Sequence, residues 1–226
     1  MSNLVVDLIP NVVPKVDELW LSVGQTFYML SVSGVIAFTL GLFFGVVLIV
    51  TKHNDILDNK YIFTILSCVI NLFRSIPFVI LLAALIPFSR FVVGTAIGTV
   101  GAIVPLVVGT VPFFSRQVES ALSSVDRGLV EVAQSMGSSA LGIIFRVYLK
   151  ESISHLVRVT QITAISLIGL TAMAGSIGGG GLGDFAIRYG HQRGQTDVTY
   201  VTVLVILIMV AIIQSIGNVI IKKTTH

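Results

Sequence analysis

Between Leu19 and Thr51 the chain carries no charged residue. Four later stretches are almost as apolar: Tyr61 to Ser89 with Arg74 as its only charge, Phe91 to Ser115 with none, Ile153 to Gly175 with Arg158, and Val198 to Ile221 with none. A helix that crosses a bilayer needs roughly 20 mostly apolar residues, so each stretch is long enough. Charged residues make up 11% of the chain, against about 25% in soluble domains. The expected fold is an all-α integral membrane protein with five transmembrane helices near 23–51, 61–88, 91–115, 153–177 and 198–221. They form one domain, 19–221, between an external N-terminal segment 1–18 and a tail 222–226.

Five crossings put the termini on opposite sides. One side holds Lys15, Arg90, Arg188 and Arg193; the other holds Lys52, Lys60, Arg116, Arg127, Arg146, Lys150, Arg158, Lys222 and Lys223. Cytoplasmic loops carry the excess of Lys and Arg, so the N-terminus is expected outside and the C-terminus inside. The net charge of +3 then reflects membrane orientation, not nucleic-acid binding. The N-terminal segment has Asp7, Asp17, Glu18, Pro10 and Pro14 and lacks the basic start of a signal peptide. Gly41 with Gly45, and Gly94 with Gly98, have the spacing that lets helices approach closely in lipid. Cys68 is the single cysteine, so no internal disulfide forms.

The expected cytoplasmic loop, 117–152, is the most informative segment. Asp126 suits a helix N-cap, and Leu129, Ala133 and Met136 recur as one apolar stripe over Arg127–Met136. Gly137 suits the position just past a helix end. Ser138 or Ser139 then caps a second helix with Leu141, Ile144, Phe145 and Tyr148 on one side. An amphipathic helix this short needs a groove for its stripe, on a partner, on the membrane or on its own bundle. Glu131 lies beside the stripe, placed to meet a partner's Arg or helix end.

Arg74 lies at membrane depth, where a charge usually faces the bundle interior or a water-filled path. Pro77 frees a carbonyl near it and kinks the helix. Arg74, Ser75 and Pro77 are therefore either part of a path or gate, or a structural bond to a neighbouring span. Gly175 to Gly183 holds six glycines. It is either a flexible rim of the path or a tight turn where backbones cross. Met173, Gly178 and Gly181 are path candidates there; Ser166, Thr171, Met173 and Ser176, at or just before it, either line a neutral channel suited to a thioether side chain or, for Met173, serve as plain packing. No strand precedes the GxGxxG spacing, which excludes a dinucleotide site. The chain has no P-loop, no Asp or Glu in the spans for ion coupling, and no His or Cys cluster with metal-ligand spacing. No nucleophile–base set stands out, so neither enzymatic activity nor a cofactor is expected.

Glu131-Val-Ala133, Gly137, then Phe145, Val147 and Leu149 resemble the EAA loop of ABC importer permeases, with Val132 in place of Ala and Lys150 in place of Pro. Asn71-Leu-Phe-Arg74-Ser75-Ile-Pro77, Ile86-Pro87-Phe, Gly94-Thr-Ala-Ile-Gly98, Ala102-Ile-Val-Pro105 and Gly178-Gly-Gly-Gly-Leu-Gly-Asp184 resemble the methionine-importer permeases. The resemblance covers the chain from about Leu19 onward. It implies a multi-pass permease of the bacterial cell membrane that pairs with a second copy of itself. Two ATP-binding cassette subunits would bind the ATP, and an external substrate-binding protein would deliver the cargo. It also implies that Arg127, Leu129, Glu131, Ala133, Met136 and Gly137 dock and couple to the ATPase. Another amino acid or small neutral solute as cargo, a passive channel or secondary carrier, and a membrane assembly or sensor protein are the competing readings.

Overall fold

Polar backbone groups in hydrocarbon must be satisfied within the chain, and helices do this segment by segment. The computed structural model describes residues 9–224, and among them there is no strand. Residues 1–8 and 225–226 of the expected terminal segments lie outside that range. A short 3-10 turn, Val13–Lys15, leads into α1, Val16–Val50. Then come α2, Lys60–Ser75; α3, Phe78–Ala84; α4, Ile86–Val93; and α5, Gly98–Leu122. The loop contains α6, Arg127–Ser135; α7, Ala140–Ile143; a π-helical turn, Ile144–Tyr148; and α8, Leu149–Glu151. Last are α9, Ile153–Ala174; a π-helical turn, Gly175–Gly179; α10, Gly181–Phe185; a π-helical turn, Ala186–His191; and α11, Thr196–Thr224.

Four helices are long and apolar enough to cross a membrane, or five if the broken pair α2 and α3 is one span. The stretch expected as a single helix over 61–88 is in fact interrupted twice. Ile76 is extended (φ −84°, ψ 123°) ahead of Pro77, as a residue before proline prefers. Leu85 makes the second break ahead of Pro87, which fits the first turn of α4 because its missing N–H has no helical partner there. The third stretch also differs: Phe91 belongs to α4, and α5 begins at Gly98.

The chain divides into two compact units, each made of three segments. The first comprises Met1–Val35, Pro77–Val107 and Ala164–Ile213. One of its cores gathers Met29, Leu82, Ala102, Leu106, Leu167 and Ala174. Another gathers Val12, Phe185, Tyr189 and Val198. The Asn11 backbone N–H and Nδ2 both donate to the Asp197 carboxylate, at 2.9 and 3.0 Å. These bonds fasten the start of the described chain to the first turn of α11.

The second unit comprises Ile36–Ile76, Val108–Thr163 and Gln214–His226. Its core includes Ile49, Val50, Phe114, Val118, Leu122, Val130, Ile143 and Tyr148. Here α1 meets α5 at glycine contacts. A Cβ on Gly41 would stand 2.7 Å from the Phe114 ring, and one on Gly45 2.5 Å from Val118 Cβ and 2.8 Å from the Ser115 carbonyl. Gly94 and Gly98 do something else: both have positive φ and open space where a Cβ would point. They shape the turn between α4 and α5, and the packing expected from their spacing is absent.

Gly45→Ala is expected to destabilise the protein by about 1–3 kcal/mol, the usual cost of an overpacked contact. Gly24→Ala, with nothing within 4 Å of the added methyl, is the matched control. Thermal unfolding in detergent reads the difference, and equal midpoints for the two variants would refute close α1–α5 packing.

Candidate functional site

Three surfaces carry the residues singled out above. On the first, Asp126 caps α6 by accepting a hydrogen bond from Gly128 N–H at 2.8 Å. The helix closes at Gly137, whose φ is +75°. Gly137 N–H donates to the Gln134 carbonyl at 2.9 Å and Ser138 N–H to the Ala133 carbonyl at 3.1 Å. Both bonds satisfy carbonyls that a helix end leaves free. Ser139, the second of the two expected caps, accepts from Gly142 N–H at 3.2 Å. Caps at both ends fix a nine-residue helix that is too short to be stable alone.

The face of α6 differs from the expected stripe. Val130, 8% exposed, and Ala133 pack into the second unit's core. Leu129, Val132 and Met136 point outward, and Met136 is 79% exposed. The next helix also splits: Ile143, Ile144 and Tyr148 are buried, whereas Leu141 and Phe145 are 67% and 66% exposed. The wider π-helical turn at Ile144–Tyr148 redistributes the side chains that a regular 3.6-residue repeat had grouped together. An exposed apolar ridge results: Leu129, Val132, Met136, Leu141 and Phe145. Glu131 is exposed beside it, and its carbonyl accepts from Ser135 Oγ at 2.8 Å. Arg127 reaches back, donating from Nη2 to the Asn54 carbonyl at 2.8 Å.

The second surface is one side of α2. Thr64, Cys68, Asn71, Arg74 and Ser75 are all exposed and lie within about a third of the helix circumference. Asn71 Oδ1 accepts from Arg116 Nη2 at 3.2 Å, and the same nitrogen donates to the Ser67 carbonyl at 3.4 Å. Arg116 Nη1 also pairs with Glu119 Oε2 at 2.6 Å. The Arg74 side chain makes no hydrogen bond or ion pair among the described residues, so a side-chain bond to a neighbouring span is not formed within them. Sequence reasoning isolated Arg74 and Ser75 and overlooked Thr64, Cys68 and Asn71. Their three- and four-residue spacing was the available signal. A polar stripe on an otherwise apolar helix requires water or a polar partner beside it.

The third surface is the glycine segment. Gly181 N–H donates to Gln25 Oε1 at 2.7 Å, and Leu182 N–H to Thr26 Oγ1 at 2.8 Å. A Cβ on Gly183 would stand 2.2 Å from the Ala172 carbonyl, and one on Gly175 2.5 Å from the Asp184 amide. Most of the segment is therefore a tight crossing of backbones, and Gly181 is buried within it. Met173, Ser176, Ile177 and Gly178 are exposed along one side. Of the other expected path residues, Pro77 is exposed at the break after α2, whereas Thr171 is buried.

The family described as "Binding-protein-dependent transport system inner membrane component" matches residues 37–224. The "Probable D-methionine transport system permease protein MetI" of Vibrio cholerae is 45% identical over 93% of this chain and 93% of its own length. The "Methionine import system permease protein MetP" of Bacillus subtilis is 45% identical over 92% of this chain and 94% of its own. A chain in an inward-facing structure of the MetNI methionine ABC transporter superposes with a TM-score of 0.92 at 40% identity, over 94% of this chain and 99% of its own. An amino acid ABC transporter solved with histidines gives a TM-score of 0.77 at 16% identity, a likeness of fold alone.

If the polar side of α2 faces water, a membrane-impermeant thiol reagent should label Cys68 in intact membranes opened on the side where α2 begins. Val69→Cys in a Cys68→Ser background, on the apolar side of the same helix, should stay unlabelled. Equal labelling of both positions would contradict a water-facing stripe.

Proposed function

Because the chain belongs to the family of binding-protein-dependent transport system inner membrane components, we propose that it is the membrane-spanning subunit of an ATP-driven importer of methionine. Relatives named for methionine transport align with it nearly end to end, and that supports the cargo. The apolar stretches 23–51, 61–88, 91–115, 153–177 and 198–221 hold no Asp or Glu, which suits a zwitterionic cargo. The subunit works as a pair with a second copy of itself. Two ATP-binding cassette subunits bind and hydrolyse ATP on the cytoplasmic side, and an extracytoplasmic binding protein supplies the cargo. The permease contributes the pathway and the coupling.

The observation that carries the coupling is the capped helix α6 with its exposed ridge. The helix is held to its own unit through Val130 and Ala133, while Leu129, Val132 and Met136 stay free for a groove on the ATPase. Closure of the ATPase pair carries α6 with it and opens the permease pair outward; hydrolysis reverses the motion. Each ligand moves this equilibrium only through its different contacts in the two states. Arg74, Ser75, Pro77, Met173 and Gly178 are the residues assigned to the path or its gates. Gly181 supports the glycine segment from within.

Charge supports a cytoplasmic α6. Of the 14 Lys and Arg residues, only Lys15, Arg90, Arg188 and Arg193 fall in the first unit; the other ten fall in the second, together with α6. Basic residues gather on the cytoplasmic side, which supports an N-terminus outside and a C-terminus inside.

Vesicles holding this chain, its ATPase and its binding protein should accumulate labelled methionine only with ATP, and only methionine-like compounds should compete. ATP-driven uptake of a different solute would keep the permease and replace the cargo. An assembled complex without any such uptake would favour the assembly or sensor reading. Glu131→Lys combined with Gly137→Leu should lower both transport and ATPase association about tenfold, equivalent to roughly 1.4 kcal/mol of docking free energy. Membrane insertion should be unaffected, and unchanged transport would refute the assignment of α6.

A further inference from the structure

The turn between α1 and α2 is hydrogen-bonded to both of these helices and to the segment around α6. At its start it folds back on the end of α1: Leu57 N–H donates to the Val50 carbonyl at 2.9 Å, and Asn59 N–H to the Thr51 carbonyl at 3.1 Å. At its end, Asn59 caps α2, its Oδ1 accepting from Tyr61 and Ile62 N–H, each at 3.1 Å. The turn thus joins α1 to α2, the helix with the polar stripe.

Two polar ties connect this turn to the segment around α6. Tyr148 Oη donates to the Asp55 carboxylate, 2.9 and 2.8 Å from its two oxygens. Arg127 Nη2 donates to the Asn54 carbonyl. Asn54 is the one non-glycine residue with positive φ among the described residues, a conformation Asn tolerates better than most. Its amide donates to Asp58 Oδ2 at 2.9 Å. Asp55 Oδ1 also accepts from Ile56 N–H at 2.7 Å, so the carboxylate is held on its own side before it meets the tyrosine. A cavity of about 110 Å³ lies alongside, lined by Lys52, His53, Asp55, Arg127 and Tyr148 among others. An apolar contact runs beside the polar ties, because Ile56 of the turn packs against the core that holds Val130, Ile143 and Tyr148.

We propose that the turn Thr51–Asn59 is a second part of the coupling machinery, in which Asp55 positions Tyr148 and Asn54 receives Arg127, so that displacement of α6 reaches α1 and α2. This rests on α6 being the ATPase-docking helix, as argued above. The ties stand at opposite ends of the segment: Arg127 is the first residue of α6, and Tyr148 is the last of the π-helical turn. Held at both ends, the segment between them transmits a push instead of folding around it. The tie persists through the working pH range. Burial pushes the Tyr148 phenol well above its ordinary value, the Asp55 carboxylate adds to the shift, and the hydroxyl stays a donor. Asp55 and Tyr148 are positioning residues, since neither needs to touch cargo or ATP.

Tyr148→Phe is the central test, because it removes one hydroxyl and leaves the ring packed in the core. The complex should still assemble and hydrolyse ATP. Cargo moved per ATP hydrolysed should fall about fivefold or more, the lower end of the range for coupling between sites. Asp55→Asn keeps an acceptor and should retain more of this ratio than Asp55→Ala. Asp55→Ala with Tyr148→Phe should be no worse than either alone. A cargo-independent readout accompanies these variants: hydrogen exchange in the assembled complex with and without trapped nucleotide. In the wild type both Arg127–Ser135 and Lys52–Asn59 should respond. In Tyr148→Phe the response of Lys52–Asn59 should be weaker, with the Arg127–Asn54 bond left to carry it. A wild-type ratio in Tyr148→Phe, or an unchanged response of Lys52–Asn59, would overturn the proposal even where methionine uptake is normal. Absence of methionine uptake by the wild type would count against the cargo and leave the exchange result to decide the role of the turn.

Discussion

Wherever this chain leaves a helix inside its apolar regions, the freed backbone groups have to find partners, because hydrocarbon offers none. Much of the remaining architecture follows from how that is met. Gln25 and Thr26, both on α1, accept the amides of Gly181 and Leu182. That allows α9 to end, the glycine segment to turn and α10 to begin without stranding donors. Lone glycines would make the turn sterically possible but would leave those amides unsatisfied, at about 1–3 kcal/mol each. Two polar residues in the middle of an apolar run thus decide where a distant segment can cross.

The apolar runs, the loop caps and Gly137 were legible because each rests on local chemistry: run length, a side-chain acceptor, a backbone conformation without a Cβ. The interruption of the second span was only half legible. Pro77 announced it, but the extended Ile76 and the second break at Leu85 depend on how the pieces pack. The side on which α6 buries itself was not legible. Leu129, Ala133 and Met136 satisfy the helical repeat as well as Val130 and Ala133 do, and the choice is made by a core of Ile49, Val118 and Tyr148 contributed from elsewhere in the chain.

The glycines show the same limit. Gly41–Gly45 and Gly94–Gly98 have one spacing and two uses. The first pair lets α1 approach α5, and the second allows a left-handed backbone between α4 and α5. Spacing alone carries no information on φ. The polar side of α2 was missed for a different reason. Thr64, Cys68 and Asn71 are mild enough to pass within an apolar run, and only Arg74 breaks it visibly. Their meaning comes from sharing a face, and from Arg116 reaching Asn71 across 45 positions of sequence.

The shallow seat of α6 also bears on what happens to a chain without its partner. This helix puts one residue, Val130, fully into the core and presents Leu129, Val132 and Met136 to water, with Leu141 and Phe145 alongside. Segments with few buried apolar contacts open most readily, and exposed apolar patches invite non-specific association. An unassembled subunit therefore displays a hydrophobic, easily opened handle to the cell's proteases and chaperones, which docking as proposed would cover. Under the proposed coupling, the surface assigned to ATPase docking doubles as a tag of incompleteness in an unassembled subunit, tying the survival of each copy to the supply of its partner.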